Sequence, residues 1–431
     1  MHSWWKVFDL NQRMNETKTM QVDSQNKIVC MFTPAADGGH PLYTAELMTA
    51  MARQGSREFK YELVSSVNLE TRFQENKPYS VHPVLPVLHH KNSYRSKLRW
   101  MLSRVGHYAA RELKFLKWLR GRPDIVCVHL QEWKVLLAWP FVRAIQRQGK
   151  RVCFTVHNVQ PHRYPKYLPK AIFDRFSRAA MRKCDGLFVL SRRLETTLSE
   201  FLGEGHPPIV VAPHGMWTVA NAAPLASVEE RLAAKKLLFF GVIRANKGLH
   251  VLLKAAEQLK GYSITIAGEP FERSYVQEQI LPQIERLRAM GVEVNLIDRF
   301  LADEEVGPLF KSHSAIVLPY TNGFIAQSGV VFMAMAYGLP VVASEAGGLR
   351  DLMREARIGL TFEGDSSDAL AVAIRSLEEP AVSAMISKGL EQARGHYSWA
   401  VAANATIAQY TAVCAERRVE VASNIRPSPA H

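Results

Sequence analysis

Two cations three residues apart, Arg244 and Lys247, are the side chains whose spacing points most directly to chemistry. They follow the apolar run Leu237 to Ile243 and precede Gly248, after which Leu249, Leu252, Leu253, Ala256 and Leu259 recur at helical spacing. That pattern is a buried strand followed by an amphipathic helix. The two charges therefore fall on a strand-to-helix turn at the C-terminal edge of a parallel sheet, where open α/β sheets bind ligands. Paired cations there select an anion, and diphosphate is the candidate. Two solvated surface cations are the competing reading of this stretch taken alone.

Three further groups carry signals. Gln327-Ser328-Gly329 precede Val330 to Tyr337, a segment apolar on every face that must be a buried helix. Its first N–H groups, around Ser328, Gly329 and Val330, would face a cleft and could hold phosphate oxygens. His157-Asn158 end the strand Arg151 to Val156 and enter a Pro-interrupted loop, a position suited to ligand contact or, alternatively, to bracing the loop. Near the N-terminus a strand, Lys27 to Phe32, runs into T-P-A-A-D-G-G-H and a helix. Glycines at 38 and 39 permit close backbone approach, but the G-x-G-x-x-G spacing of dinucleotide sites is absent. No D-x-D pair occurs, so a metal-chelated nucleotide is not indicated and neither metal nor other cofactor is expected.

The elements that must position these residues alternate strand and helix through both halves of the chain. Strands are expected at 61–65, 81–87, 123–129, 151–156, 186–190 and 208–212, then at 237–243, 263–267, 292–297, 315–319, 340–343 and 359–362. Such alternation predicts an α/β protein with two parallel sheets. The expected division is a flexible lead-in at 1–26, a first domain at 27–213, a linker rich in Ala and Pro at 214–235, a second domain at 236–398, and a final helix and tail at 399–431. A chain of 431 residues exceeds one ordinary core.

Composition narrows the class. An apolar fraction of 47% with 22% charged residues is that of a folded globular chain. The net charge of +14 favours anionic partners. Five cysteines without metal-ligand spacing, three of them in apolar runs, read as buried thiols and a cytoplasmic location. No secretory signal pattern or membrane-spanning run is present. In the segment from Lys91 to Arg122, ten cations, the two end residues included, face one acid, Glu112, with Trp100, Phe115 and Trp118 interleaved. Such a segment either rests on an anionic membrane surface or packs as helices with a solvated basic face. No nucleic-acid motif accompanies the charge, and nucleic acid is not an expected partner.

With G-V-I-R-A-N-K-G-L-H-V-L-L, A-M-A-Y-G-L-P-V-V-A-S-E-A-G-G-L, D-G-G-H, T-V-H-N and A-P-H-G in place, the chain resembles GT-B glycosyltransferases, most closely family 4 and the bacterial exopolysaccharide enzymes. The resemblance covers nearly all of residues 27 to 416. It implies two Rossmann-like domains facing each other across a cleft that holds the active site. It implies that Arg244 and Lys247 hold the diphosphate of a UDP- or GDP-sugar, assisted by the backbone from Gln327 to Val330. His157 would reach the donor sugar, and Gly38 and Gly39 would meet donor and acceptor. The acceptor would be a glycan or lipid-linked oligosaccharide, reached from the inner face of the cytoplasmic membrane.

One departure stands out. Family 4 enzymes carry two glutamates around the buried helix, and this chain has Ile325 and Met333 there. An inverting relative would need a base in the first domain, where Asp37 and His157 are the candidates. A non-catalytic nucleotide-sugar or glycan binder, or an epimerase or phosphorylase on the same fold, are the alternatives.

Overall fold

The computed structural model of the chain describes residues 27–36, 39–55, 58–87, 97–160, 164, 169–217, 226–324 and 328–423, and of 97–104 and 416–423 the backbone alone. The expected lead-in at 1–26, the start of the basic segment, Asp37, Gly38, Ile325 and Gln327 lie outside the described residues.

Seven parallel strands form the first sheet: β1 (Ile28–Thr33), β2 (Lys60–Ser66), β3 (Ser80–Leu85), β4 (Ile125–Leu130), β5 (Arg151–Val156), β6 (Gly186–Val189) and β7 (Ile209–Val211), in the order β3-β2-β1-β4-β5-β6-β7. Six form the second: β8 (Lys236–Phe240), β9 (Ser263–Ala267), β10 (Val294–Ile297), β11 (Ala315–Leu318), β12 (Val341–Ser344) and β13 (Gly359–Phe362), in the order β10-β9-β8-β11-β12-β13. All residues of β1, β11 and β12 are buried. Strands buried on both faces need helices on both faces, which is why their sequences are apolar runs without alternation.

The helices of the first domain are α1 (Gly39–Arg53), α2 (Lys97–Arg120), α3 (Val135–Arg147), α4 (Lys170–Met181) and α5 (Arg192–Leu202). Those of the second, besides a short helical lead-in at Arg273–Tyr275 and Val276–Ile280, are α6 (Val228–Ala233), α7 (Leu249–Ala256), α8 (Leu281–Ala289), α9 (Asp303–Lys311), α10 (Gly329–Ala336), α11 (Leu349–Ala356), α12 (Ser367–Ser376) and α13 (Pro380–His396). Right-handed crossovers place α2, α3 and α4 on one face of the first sheet, because their strands advance in one direction, and α1 on the other. The core divides accordingly. Phe115, Leu119, Phe141 and Met181 fill one side, and Leu47, Met48 and Met51 the other.

Strand order reverses between β1 and β4 in the first sheet and between β8 and β11 in the second. At each reversal the loops leaving neighbouring strands diverge and open a crevice. The Arg244–Lys247 turn leaves β8 and therefore borders the second crevice, while the loop holding Pro34 and Gly39 borders the first.

One strand boundary is corrected, and two other segments gain detail. The strand read as 237–243 ends at Phe240, where Gly241 at φ 111° turns the chain, and Ile243 makes only an isolated bridge to Pro270. The basic segment is one 24-residue helix among the described residues, and Phe115, Leu116, Trp118 and Leu119 on it turn into the core. Within the stretch read as linker, α6 forms on a Ser227–Glu230 capping box and adds Val228 and Leu232 to the second core.

The last helix, α14 (Trp399–Ser423), lies on the first domain. Its Ala402, Ala403 and Tyr410 are fully buried beside β1 and α1, and the Tyr410 hydroxyl shares a short hydrogen bond with His129 Nδ1. At the crossover the Trp399 indole presses on Gly215, where an added Cβ would lie 2.3 Å from a ring carbon.

Candidate functional site

The turn after β8 is shaped by its neighbours. Arg244 caps a single 3-10 turn, Ala245–Lys247, and Gly248 then adopts φ 66° to start α7. A Cβ at Gly248 would sit 1.7 Å from the Pro319 carbonyl oxygen, so only glycine lets this turn press against the end of β11. Thr321 N–H donates to Asn246 O at 3.2 Å and ties the two loops together.

That contact decides where Lys247 goes. Its Nζ lies 3.7 Å from the centre of the Tyr320 ring and 4.6 Å from that of Phe324, two rings supplied by the loop after β11. Burial, then the charge of Arg244, push the ammonium down to about 7, while the ring faces favour its charged form. Arg244 stays exposed, its guanidinium 6.0 Å from the Phe271 ring centre.

The start of α10 meets the same place. The Tyr320 hydroxyl and Ser328 Oγ lie 2.8 Å apart, so Ser328, 3% exposed, turns its side chain inward. What this segment offers the cleft is the backbone of Gly329, which is exposed, and Val330, which is half-buried. Trp217 from the crossover donates to Gly329 O at 2.9 Å, and Val330 approaches Gly241. Arg244, Lys247, Ser328, Gly329 and Val330 therefore converge on one crevice, two cations facing a helix N-terminus. Such an arrangement has the charge and the N–H groups to hold an anion such as a diphosphate. Met333, one turn further along, packs partly against the core.

From the first domain His157 retains partial exposure, with Nε2 3.3 Å from Gln131 Oε1. Its ring meets His40 edge-on at 4.5 Å and Tyr43 at 5.2 Å. Burial, then the neighbouring His40 and His214, hold its pKa well below the usual imidazole range, so it is neutral at pH 7 and free to donate or accept a hydrogen bond. His214 stacks on Phe332 of α10 at 4.3 Å, linking the first domain's histidine cluster to the second domain's buried helix. Gly39 is exposed at the start of α1.

Several of these contributors escape sequence reading. Tyr320, Phe324 and Gln131 have no periodic or motif signal of their own, and their place in the loops after β11 and β4 is the one clue the sequence holds. His40 and His214 lie inside D-G-G-H and A-P-H-G, but nothing in those motifs says that their rings meet His157 and Phe332.

The two domains touch directly across the cleft. Arg72 Nη1 pairs with Asp303 Oδ2 at 2.7 Å, and Arg193 pairs with Asp351. Between them opens a cavity of about 830 Å³ lined by Asn158, Ser191, Arg193, Gly347 and Tyr397, with Phe324 shared with the Lys247 site. It lies beside the cations rather than over them.

The comparisons agree with this geometry. Residues 37–220 match the family model described as Glycosyltransferase Family 4, and residues 234–379 that described as Glycosyl transferases group 1. A glycogen synthase of Mycobacterium tuberculosis is 26% identical over 329 residues, 73% of this chain and 76% of that protein. Among solved structures, a sucrose-phosphate synthase from Thermosynechococcus elongatus superposes with a TM-score of 0.68 at 17% identity, covering 90% of this chain and all of that one. Anabaena HepE in complex with UDP-glucose superposes with a TM-score of 0.63 at 17% identity, covering 89% of this chain and 99% of that one.

Proposed function

We propose, from the premise that this chain is a GT-B glycosyltransferase with family 4 and group 1 domains, that it moves a sugar from a UDP- or GDP-sugar to a hydroxyl of a glycan or lipid-linked acceptor. Bacterial exopolysaccharide or cell-surface glycan synthesis is the setting we assign. The observation that carries this reading is the convergence of Arg244, Lys247 and the α10 N-terminus at the β8/β11 strand-order reversal. The task in such a transfer is to neutralise the departing diphosphate, which preorganised positive groups do without a metal. Binding of UDP-glucose by a structure of the same fold supports a nucleotide-sugar donor. Neutral His157 would hydrogen-bond the donor sugar near the reacting carbon, with Asp37 or His157 serving as base if the configuration inverts.

The test is donor turnover. Lys247→Ala abolishes it while leaving cooperative unfolding intact; a fully active variant overturns the assignment. Screening UDP-, GDP- and ADP-sugars by calorimetry identifies the base.

Peripheral contact with an anionic membrane at the cytoplasmic side belongs to the same reading. With Phe115 buried and Trp118 half-buried against the core, the support shifts to exposed Val105 and Leu113 on α2, flanked by Lys114, Lys117 and Arg120, and to Leu136, Trp139, Ile172 and Phe176 on α3 and α4 of the same layer. Among the described residues no helix is long and apolar enough to cross a membrane.

A second reading, a nucleotide-sugar binder without transferase activity, is favoured by Ile325 and Met333 at the glutamate positions. It predicts donor binding with neither transfer nor hydrolysis.

A further inference from the structure

Arg111 is 2% exposed, yet only one of its guanidinium nitrogens, Nη2, has an acceptor, the Pro34 carbonyl oxygen. Its Nε and Nη1 are buried with no partner. Orphaned guanidinium donors inside a domain are costly, and native structures rarely leave them so without a ligand or water to fill the place. The arginine lines a pocket of about 20 Å³ with Tyr108, Glu112, Glu132, Trp133 and Lys134. A space of that size admits one or two oxygen atoms, not a sugar ring.

The charges around it leave Arg111 in surplus. Lys134 Nζ bonds Glu132 Oε1 at 3.0 Å and lies over the Tyr108 ring, so those two charges largely cancel. Burial raises the Glu112 carboxyl to about 8, which keeps it mostly protonated at neutral pH. The pocket thus carries close to one net positive charge and three unused N–H bonds, one on Nε and two on Nη1.

Its position is equally specific. Pro34 leaves β1 and Glu132 to Lys134 leave β4, so the pocket borders the strand-order reversal of the first sheet. Glu132 feels both Arg111 and His40, and the His40 ring touches that of His157. The pocket is therefore separated by His40 from the histidine expected to meet the donor sugar, on the domain whose glycine loop is expected to meet donor and acceptor.

We infer that this pocket is an acceptor subsite in which Arg111 receives the terminal oxygens of an anionic group, a carboxylate or a phosphate monoester, so that the acceptor is acidic. The inference rests on the transferase reading for the word acceptor, while anion binding itself does not.

The experiment titrates the full chain, without donor, with methyl β-D-glucuronide, inorganic phosphate and, as uncharged control, methyl β-D-glucoside. Binding is followed by fluorine NMR of the 5-fluorotryptophan protein, with Trp133→Phe to assign the resonance. Glucuronide or phosphate at millimolar concentration shifts the Trp133 signal and the glucoside does not; the anion that binds more tightly identifies the source. Arg111→Lys and Arg111→Gln weaken that binding at least tenfold while donor binding by calorimetry is unchanged. No shift with either anion, an equal shift with the neutral glucoside, or binding that leaves Trp133 unmoved overturns the inference, and these outcomes are read on the unmutated protein. Anion binding without any donor turnover would instead overturn the transferase reading and leave the subsite standing.

Discussion

The Lys247 ammonium nitrogen stands 3.7 Å from the centre of the Tyr320 ring, in a pocket where burial depresses its pKa to about 7. A lysine in that state is only partly charged at neutral pH. Diphosphate favours the ammonium, so donor binding takes up protons and weakens as pH rises above 7. Calorimetry of donor binding in two buffers of different ionisation heat, between pH 6 and 9, gives the uptake; Lys247→Met abolishes it along with most of the affinity. The donor-free protein behaves oppositely. Its unfolded lysine holds its proton to about pH 10.4, so stability rises with pH from 7 upwards, and Lys247→Met removes that rise.

Gly248→Ala tests the contact between the two loops. With φ at 66° and the Pro319 carbonyl oxygen in the path of a Cβ, the turn must shift or the domain must strain. The expected loss is at least ~2 kcal/mol, measured by urea unfolding, together with loss of donor binding from displacement of Lys247. A variant of unchanged stability and activity would show that the turn does not lean on β11.

Three imidazoles, His129, His214 and His157, make the fold acid-sensitive. His129 is held at about 3 by burial, with both ring nitrogens hydrogen-bonded, His214 at about 4, and His157 well below its usual range. Each folded pKa lies below the unfolded value, so the unfolded state binds the extra protons as pH falls below about 6.5. Their stabilising contribution is whole above that pH and is lost progressively towards pH 4, at up to ~1.4 kcal/mol per group per pH unit. Urea midpoints at pH 7, 6 and 5 check this, and a flat profile refutes it.

The exposed layer of α2, α3 and α4 is tested by flotation with liposomes containing anionic lipid. Leu113→Glu with Trp139→Glu reduces co-flotation several-fold and leaves donor binding intact, since neither side chain is buried. A wild-type protein that never floats, or variants that float equally, removes the membrane from the reading.

The division between sequence and structure follows from the range of the forces involved. Apolar runs and helical spacing are local, so both parallel sheets, the Arg244-x-x-Lys247 turn and the start of α10 were legible from residue order. The resemblance carried by two motif blocks added the cleft between them. Local pattern could not say which apolar face of α2 meets the core, because Phe115 and Trp118 suit a membrane or a sheet equally well. Nor could it place Tyr320 under Lys247, His40 beside His157, or Arg111 in a pocket of its own. Those pairs join residues from different strands, and only the strand order, with its reversals at β1/β4 and β8/β11, brings them within contact distance. Electrostatics then follows from that placement: desolvation, a property of the packed structure, shifts Lys247 and His157 away from the values their types would carry in water.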